Sequence, residues 1–273
     1  MGRSPASKNI SLIENGFVFC NHYCIVFELL GPSILHEIEK AKYRGLSLKY
    51  AQAVLKSILP ILDILSELHI IHSDIKPENI LQEFPESKEN FKLIDFGCCM
   101  FENEFDNIHY IQSRFYRAPE VLLHLPYDSK IDIWSLGCVM AEIVLGLPLL
   151  PGQTELHLIS LMNKTIGKIP CVMSINSPRN NQLFLPDGAL KSPQLLCEEN
   201  DEDFVYTFQP YFVYESLHDI IMNCETEEER VYHDYESKLE FLDLIEKMLI
   251  YEPEKRISAK KAMDHPFMRI QFQ

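Results

Sequence analysis

The chain has 273 residues, 47% of them apolar and 24% charged, enough to bury a sizeable core in one large domain or two small ones. Lys and Arg number 25 against 40 Asp and Glu, and this net charge of −15 argues against nucleic acid as the main partner, because neutralising phosphates needs a basic face. No apolar run approaches a membrane span and no signal-peptide core opens the chain, so no membrane contact is expected.

Residues 17–27 read as two short strands around a turn at Asn21-His22. Gly31-Pro32 breaks the chain, and Ser33 can cap a short helix reaching about Lys40. Over 48–69, Val54, Leu55, Ile58, Ile61, Leu62 and Leu65 recur close to helical period and predict a long helix. Pro60 lies inside it and predicts a kink, or a helix that ends and restarts. Ile70-Ile71 and Ile80-Leu81 read as short strands on either side of a polar stretch, and 91–94 reads as another. Residues 131–145, with the single Trp134, are apolar almost throughout, as in a helix buried on most sides.

From 171 to 233 the periodicity weakens and acids crowd at 198–203 and 225–229, which predicts a mobile, solvated insert. Helical pattern returns at 238–249 and 258–263. No repeat or linker divides the chain, which reads as one domain. Of eight cysteines only Cys20 and Cys24 approach ligand spacing, and no second pair completes a zinc site. A reducing intracellular setting, cytoplasmic or nuclear, is the expectation.

The polar stretch is His72-Ser73-Asp74-Ile75-Lys76-Pro77-Glu78-Asn79. Phosphoryl transfer needs an acceptor for the incoming hydroxyl's proton, a cation near the moving phosphate and oxygen ligands for Mg²⁺. Asp74, Lys76 and Asn79 suit these tasks in turn. Asp95-Phe96-Gly97 follows a predicted strand, where Asp95 can hold Mg²⁺ across from Asn79 and Gly97 lets the backbone turn.

With Ala118-Pro119-Glu120 and Asp132-Ile133-Trp134-Ser135-Leu136-Gly137 following in order, these motifs resemble the catalytic lobe of eukaryotic protein kinases. Residues 110–120 and the segment Phe27-Glu28-Leu29-Leu30 look like the dual-specificity tyrosine-regulated and homeodomain-interacting kinases of the CMGC group, and the tail over 241–267 leans towards the second branch. The resemblance implies an α+β, protein-kinase-like fold, mainly the helical C-lobe with a two-stranded remnant of the N-lobe. Residues 1–10 would be a non-conforming segment, 11–30 the remnant and hinge, and 31–269 the C-lobe with its variable insert at 171–233.

The same resemblance implies ATP and Mg²⁺ as cofactors. Backbone groups of Glu28 and Leu30 would bond the adenine, beside Phe27 as gatekeeper and Leu81 in the floor. Asp74 would be the base, Lys76 would sit near the γ-phosphate, and Asn79 and Asp95 would ligate Mg²⁺. Glu120 would pair with Arg256, and Asp132 would accept backbone N–H groups of the catalytic loop. Tyr110 would be phosphorylated by the enzyme itself, its phosphate held by Arg114 and Arg117. Glu78 would meet an arginine upstream of the target residue, in protein substrates carrying serine or threonine before proline.

Two departures stand out. Ser73 occupies the place where most kinases carry arginine, so the usual pocket for a phosphorylated activation loop is missing. No glycine-rich phosphate loop, Val-Ala-Ile-Lys strand or αC glutamate precedes Phe17, which removes the lysine–glutamate pair needed for catalysis and bares the apolar face of the two strands. A truncated kinase with low or no activity of its own is the expectation. The alternative is a pseudokinase that keeps the helical lobe as a docking surface.

Overall fold

Serine side chains start the first helices. The computed structural model describes residues 8–85, 87, 89–102, 110–199, 211–224 and 235–272. Helix α1 (Ile34–Lys40) begins where Ser33 Oγ accepts the His36 N–H at 3.2 Å, and α2 (Leu48–Glu67) where Ser47 does the same for Tyr50. Contrary to one expectation, α2 neither ends nor restarts at Pro60. Ile58, Leu59, Ile61 and Leu62 on either side are buried, and that packed face holds together a turn weakened by the missing N–H.

After α3 (Pro119–Leu122), helix α4 (Lys130–Leu145) buries 14 of its 16 residues, including Trp134. It stops at Gly146 in the left-handed region (φ 76°), where an added Cβ would strike the backbone of Gly45 and Tyr43. Helices α5 (Glu155–Thr165), α6 (Cys171–Asn176), α7 (Asn180–Leu183), α8 (Pro193–Glu199) and α9 (Leu217–Met222) follow, then α10 (Tyr235–Met248) and α11 (Ala259–Met263). Helix α2 packs on α4 and α11, and α10 on α4 and α9, around one apolar core.

The expectation of a mobile insert over 171–233 is corrected for the residues described there, 171–199 and 211–224. Its described parts form α6 to α9, and Met173, Leu183, Leu196, Ile220 and Ile221 are buried. Helices of four to seven residues are too short to print a period, which is why the pattern looked weak. Of the acidic stretches, Glu198 and Glu199 belong to α8, while 200–203 and 225–229 lie outside the described residues.

The strands are few. β1 (Ile13–Phe19) and β2 (His22–Phe27) form an antiparallel ribbon with Phe19 opposite His22. Its turn is Cys20-Asn21, one residue earlier than expected, with φ of 47° and 61°. Two positive φ values give the turn that matches strand twist in a two-residue hairpin, and asparagine tolerates that region. Four short strands then frame the polar stretch: β3 (Ile70–Ile71), β4 (Ile80–Gln82), β5 (Phe91–Leu93) and β6 (Met100–Phe101), the last not foreseen. β3 pairs with β6 and β4 with β5, both antiparallel. That double pairing brings the loop over 72–79 face to face with the loop over 94–99.

No helix among the described residues is long and apolar enough to cross a membrane, and all eight cysteines are free thiols.

Candidate active site

The two facing loops are fixed from below by one carboxylate. Asp132, in the first turn of α4, accepts the His72 N–H at 2.7 Å and the Ser73 N–H at 2.9 Å, one on each oxygen. Burial pushes its pKa up to about 7, against the pull of those two amides. Ser73 is held in the left-handed region (φ 63°), and its Oγ donates to the Cys98 carbonyl at 2.7 Å, tying the two loops together. His72 adds a second tie. Its Nε2 donates to the Ile94 carbonyl at 3.1 Å while Nδ1 accepts the Asp74 N–H at 3.3 Å, an assignment that uses the neutral ring. Burial lowers the His72 pKa to about 4, outweighing its bond to Ile94.

On this base stands Asp74, 8% exposed. Its Oδ2 accepts from Lys76 Nζ at 2.7 Å and from Asn79 Nδ2 at 2.9 Å, and its Oδ1 accepts the Ser113 hydroxyl at 2.7 Å. Burial alone would raise its pKa, but the bonds from Lys76 and Ser113 outweigh it and the net shift is downward. The group is a carboxylate at neutral pH, and it already accepts an alcohol hydrogen bond at the distance a general base needs. Ser113 is a residue that sequence reasoning missed, since it lies 39 positions from Asp74 and no local pattern joins them.

Asn79 is carried by a short 3-10 turn, Pro77–Asn79, where Glu78 faces solvent. Asn79 gives its Nδ2 to Asp74, and its Oδ1 accepts no hydrogen bond among the described residues. Opposite, the Ile94 N–H donates to the Asn79 carbonyl at 3.0 Å, which sets Asp95 one residue beyond that contact. Asp95 is left-handed (φ 61°, ψ 70°), exposed, and stabilised in that shape by the Gly97 N–H on its Oδ1 at 3.3 Å. Its second carboxylate oxygen has no donor among the described residues. A carboxylate and an amide oxygen, both hard donors left unbonded on facing loops, fit a magnesium ion.

At the end of the ribbon, Phe27 closes β2 half exposed, and Leu81 on β4 bridges to Ser33. The Glu28 N–H donates to the Leu12 carbonyl, leaving the Glu28 carbonyl and the Leu30 N–H without a partner among the described residues.

Next to the loops lies an ionic cluster. Arg117, 1% exposed, donates to the carbonyl of Gln112 at 3.0 Å and to Glu155 at 2.8 Å, and it stacks on the Tyr110 ring at 4.4 Å. Glu155 also holds Arg179, and Arg114 donates to the Gln153 carbonyl. Tyr110 is 71% exposed, and its pKa is lowered by Arg117 first and Arg114 second. Gln112 is left-handed (φ 64°), held by side-chain bonds to Ile131, Ser135 and Ala118. Deeper, the Tyr116 hydroxyl donates to Glu142 at 2.8 Å, and burial, with a contribution from Glu78, raises the Glu142 pKa to about 7. Gln112, Glu142, Glu155 and Arg179 were not singled out from the sequence, because polar residues inside apolar or weakly periodic stretches carry no local signal.

Glu120 and Arg256 form a bidentate pair at 2.6 and 2.8 Å, both almost fully buried, with Arg256 also bonded to the carbonyls of Ile250, Tyr251 and Lys130. A cavity of about 740 Å³ between α5, α8 and residues 211–215 is lined by none of the residues singled out from the sequence.

The protein kinase domain family model matches residues 2–268. Among curated proteins, the dual specificity protein kinase YAK1 of Saccharomyces cerevisiae is 34% identical over 97% of this chain and 35% of its own length. The human dual specificity tyrosine-phosphorylation-regulated kinase 4 is 33% identical over 95% of this chain and 45% of its own. Homeodomain-interacting protein kinase 2 of Mesocricetus auratus is 34% identical over 91% of this chain and 22% of its own. These identities do not separate the two branches, and the chain spans less than half the length of each of these three relatives.

Proposed function

The chain belongs to the protein kinase family, and on that premise we propose that its catalytic body transfers the γ-phosphoryl group of ATP to serine or threonine in protein substrates, preferentially before proline. The observation that carries this reading is the convergence on Asp74 of Lys76, Asn79 and Ser113. Asp74 takes the proton of the substrate hydroxyl. Lys76, already 2.7 Å from it, neutralises charge on the moving group. Asn79 and Asp95 would hold Mg²⁺, which would supply positive charge to the phosphate oxygens. The Glu28 carbonyl and Leu30 N–H bond the adenine edge between Phe27 and Leu81.

The proline preference has a physical ground in Gln112. Its left-handed backbone turns its carbonyl into the buried Arg117 guanidinium, so that carbonyl does not accept a substrate N–H. An ordinary residue after the target would leave its donor unsatisfied, whereas proline has none to satisfy. Exposed Glu78 suits a basic residue upstream of the target. Tyr110 is the modification site of this reading. It is exposed beside Arg117, and the Nε atoms of Arg114 and Arg117 are buried without an acceptor among the described residues. A phosphate supplies such acceptors and would order the loop. Residence inside the cell, with free thiols, completes it.

The test is phosphorylation of a Ser-Pro peptide from Mg-ATP. Asp74→Asn should lower the rate by roughly 10²-fold or more, and an unchanged rate ends the assignment of the base. Replacing the proline by alanine should lower kcat/KM, and mass spectrometry should find phosphate on Tyr110.

One observation favours a second reading, a docking module without turnover: the β1–β2 ribbon is exposed, with Phe17, Val18, Phe19, Tyr23 and Ile25 in solvent. A thermal shift with Mg-ATP separates the two, because only the enzyme reading requires one.

A further inference from the structure

Glu28 lies between the ribbon and the helical body and is bonded to both. Its N–H donates to the Leu12 carbonyl at 3.2 Å, its Oε1 accepts the Leu12 N–H at 2.9 Å, and its Oε2 meets Lys92 Nζ at 2.6 Å. Lys92 sits on β5, 64 positions away in sequence, with its side chain 8% exposed against 24% for Glu28. A lysine this deeply buried needs a partner, and among the described residues Glu28 is the only anion bonded to it. Burial alone would raise the Glu28 pKa, but the bonds from Lys92 Nζ and the Leu12 N–H outweigh it and the net shift is downward.

Among the described residues the other hydrogen bonds near this boundary include backbone bonds from Ser11 to Leu93, from Gly31 to Gln82 and from Gln82 to Pro32, with Asn9 on the Ser57 carbonyl. Next to Glu28, Leu29 is 96% exposed. Besides the backbone bonds of Glu28 and Gly31, one side-chain pair, Glu28 with Lys92, holds the segment from which the Glu28 carbonyl and the Leu30 N–H project without a partner among the described residues.

We propose that Lys92 is a positioning residue, which through Glu28 sets the backbone of residues 28–31 and so aligns the Glu28 carbonyl and the Leu30 N–H for the flat base of a purine nucleotide. The ligand in this proposal rests on the function proposed above, whereas the mechanical role rests on the bonds alone. Lys92 touches neither nucleotide nor phosphate.

Lys92→Met keeps length and loses charge, and Lys92→Arg keeps the charge. In the ligand-free full chain, hydrogen exchange at the Leu12 and Glu28 amides should speed up about tenfold in Lys92→Met and return close to wild type in Lys92→Arg, with α2 and β4 unchanged. The Kd of a fluorescent ribose-labelled ATP analogue with Mg²⁺ should weaken about tenfold in Lys92→Met only. Unchanged exchange at Leu12 and Glu28 overturns the proposal. So does equal loss of protection across α2 and β4, which would make Lys92 a general support of the fold. If the wild-type chain binds no analogue while the exchange response appears, the nucleotide reading fails and the mechanical role of Lys92 stands.

Discussion

Fourteen of the sixteen residues of α4 are buried, while all seven of β1 are exposed, although both stretches carry large apolar side chains. The helical body buries its charges in pairs: Glu120 with Arg256, Asp132 with two amides. The ribbon has Phe17, Val18, Phe19, Tyr23 and Ile25 in solvent and rests on the body through a handful of polar bonds. The loop over 72–79 and the segment over 28–31 therefore depend on different forces. Asp74 is placed by buried, cooperative packing beneath it, and the segment over 28–31 by a few local contacts that can be removed singly.

The largest effect belongs to the body. Glu120→Ala leaves the Arg256 guanidinium buried without its anion and should cost about 3–5 kcal/mol, read as a lowered denaturation midpoint. A cost below about 1 kcal/mol would mean that water reaches this pair and that the body is looser than its burial implies.

Next comes acid sensitivity. The unfolded chain protonates its histidines as pH falls through about 6.5, whereas folded His72 resists until about 4. Its folded pKa is depressed, so the neutral ring stabilises the fold above that window, and on the order of 3 kcal/mol is lost between pH 6.5 and 4. Glu142, raised to about 7, acts with the opposite sign, weakening the fold as pH rises towards 7. The His72 contribution is therefore read as the difference in slope between wild type and His72→Gln. Parallel curves would remove His72 from the set of buried neutral groups.

At the boundary of the two regions, Gly31→Ala would place a Cβ 2.7 Å from the Phe84 backbone and should cost about 1–3 kcal/mol, together with altered exchange at the Gly31 amide. The smallest effect is expected on the ribbon, where Val18→Thr should change stability by no more than about 0.5 kcal/mol. A larger loss would show that the ribbon packs against something in solution and would erase the contrast.

Much of the body could be read directly. Helical period marked α2, an almost unbroken apolar run marked α4, a serine cap marked the start of α1, and the strands on either side of the polar stretch were short but bounded. The Glu120–Arg256 contact was legible only through family resemblance, since nothing in the sequence between two residues 136 positions apart points from one to the other. Ser113, Glu142 and Glu155 were illegible for the same reason. Each is an ordinary polar residue whose meaning lies in a partner distant along the chain.

Local periodicity, capping residues and the offsets of Asp74, Lys76 and Asn79 are properties of neighbours in sequence, and these the amino-acid order determined unaided. Tertiary structure decided the rest: which loops face one another, that Ser73, Asp95 and Gln112 adopt left-handed backbone, and that Lys92 reaches Glu28. Strained backbone and buried ions are unfavourable on their own and persist only where surrounding contacts repay them. Those contacts come from segments that only the β3–β6 and β4–β5 pairings and the packing of α4 bring together.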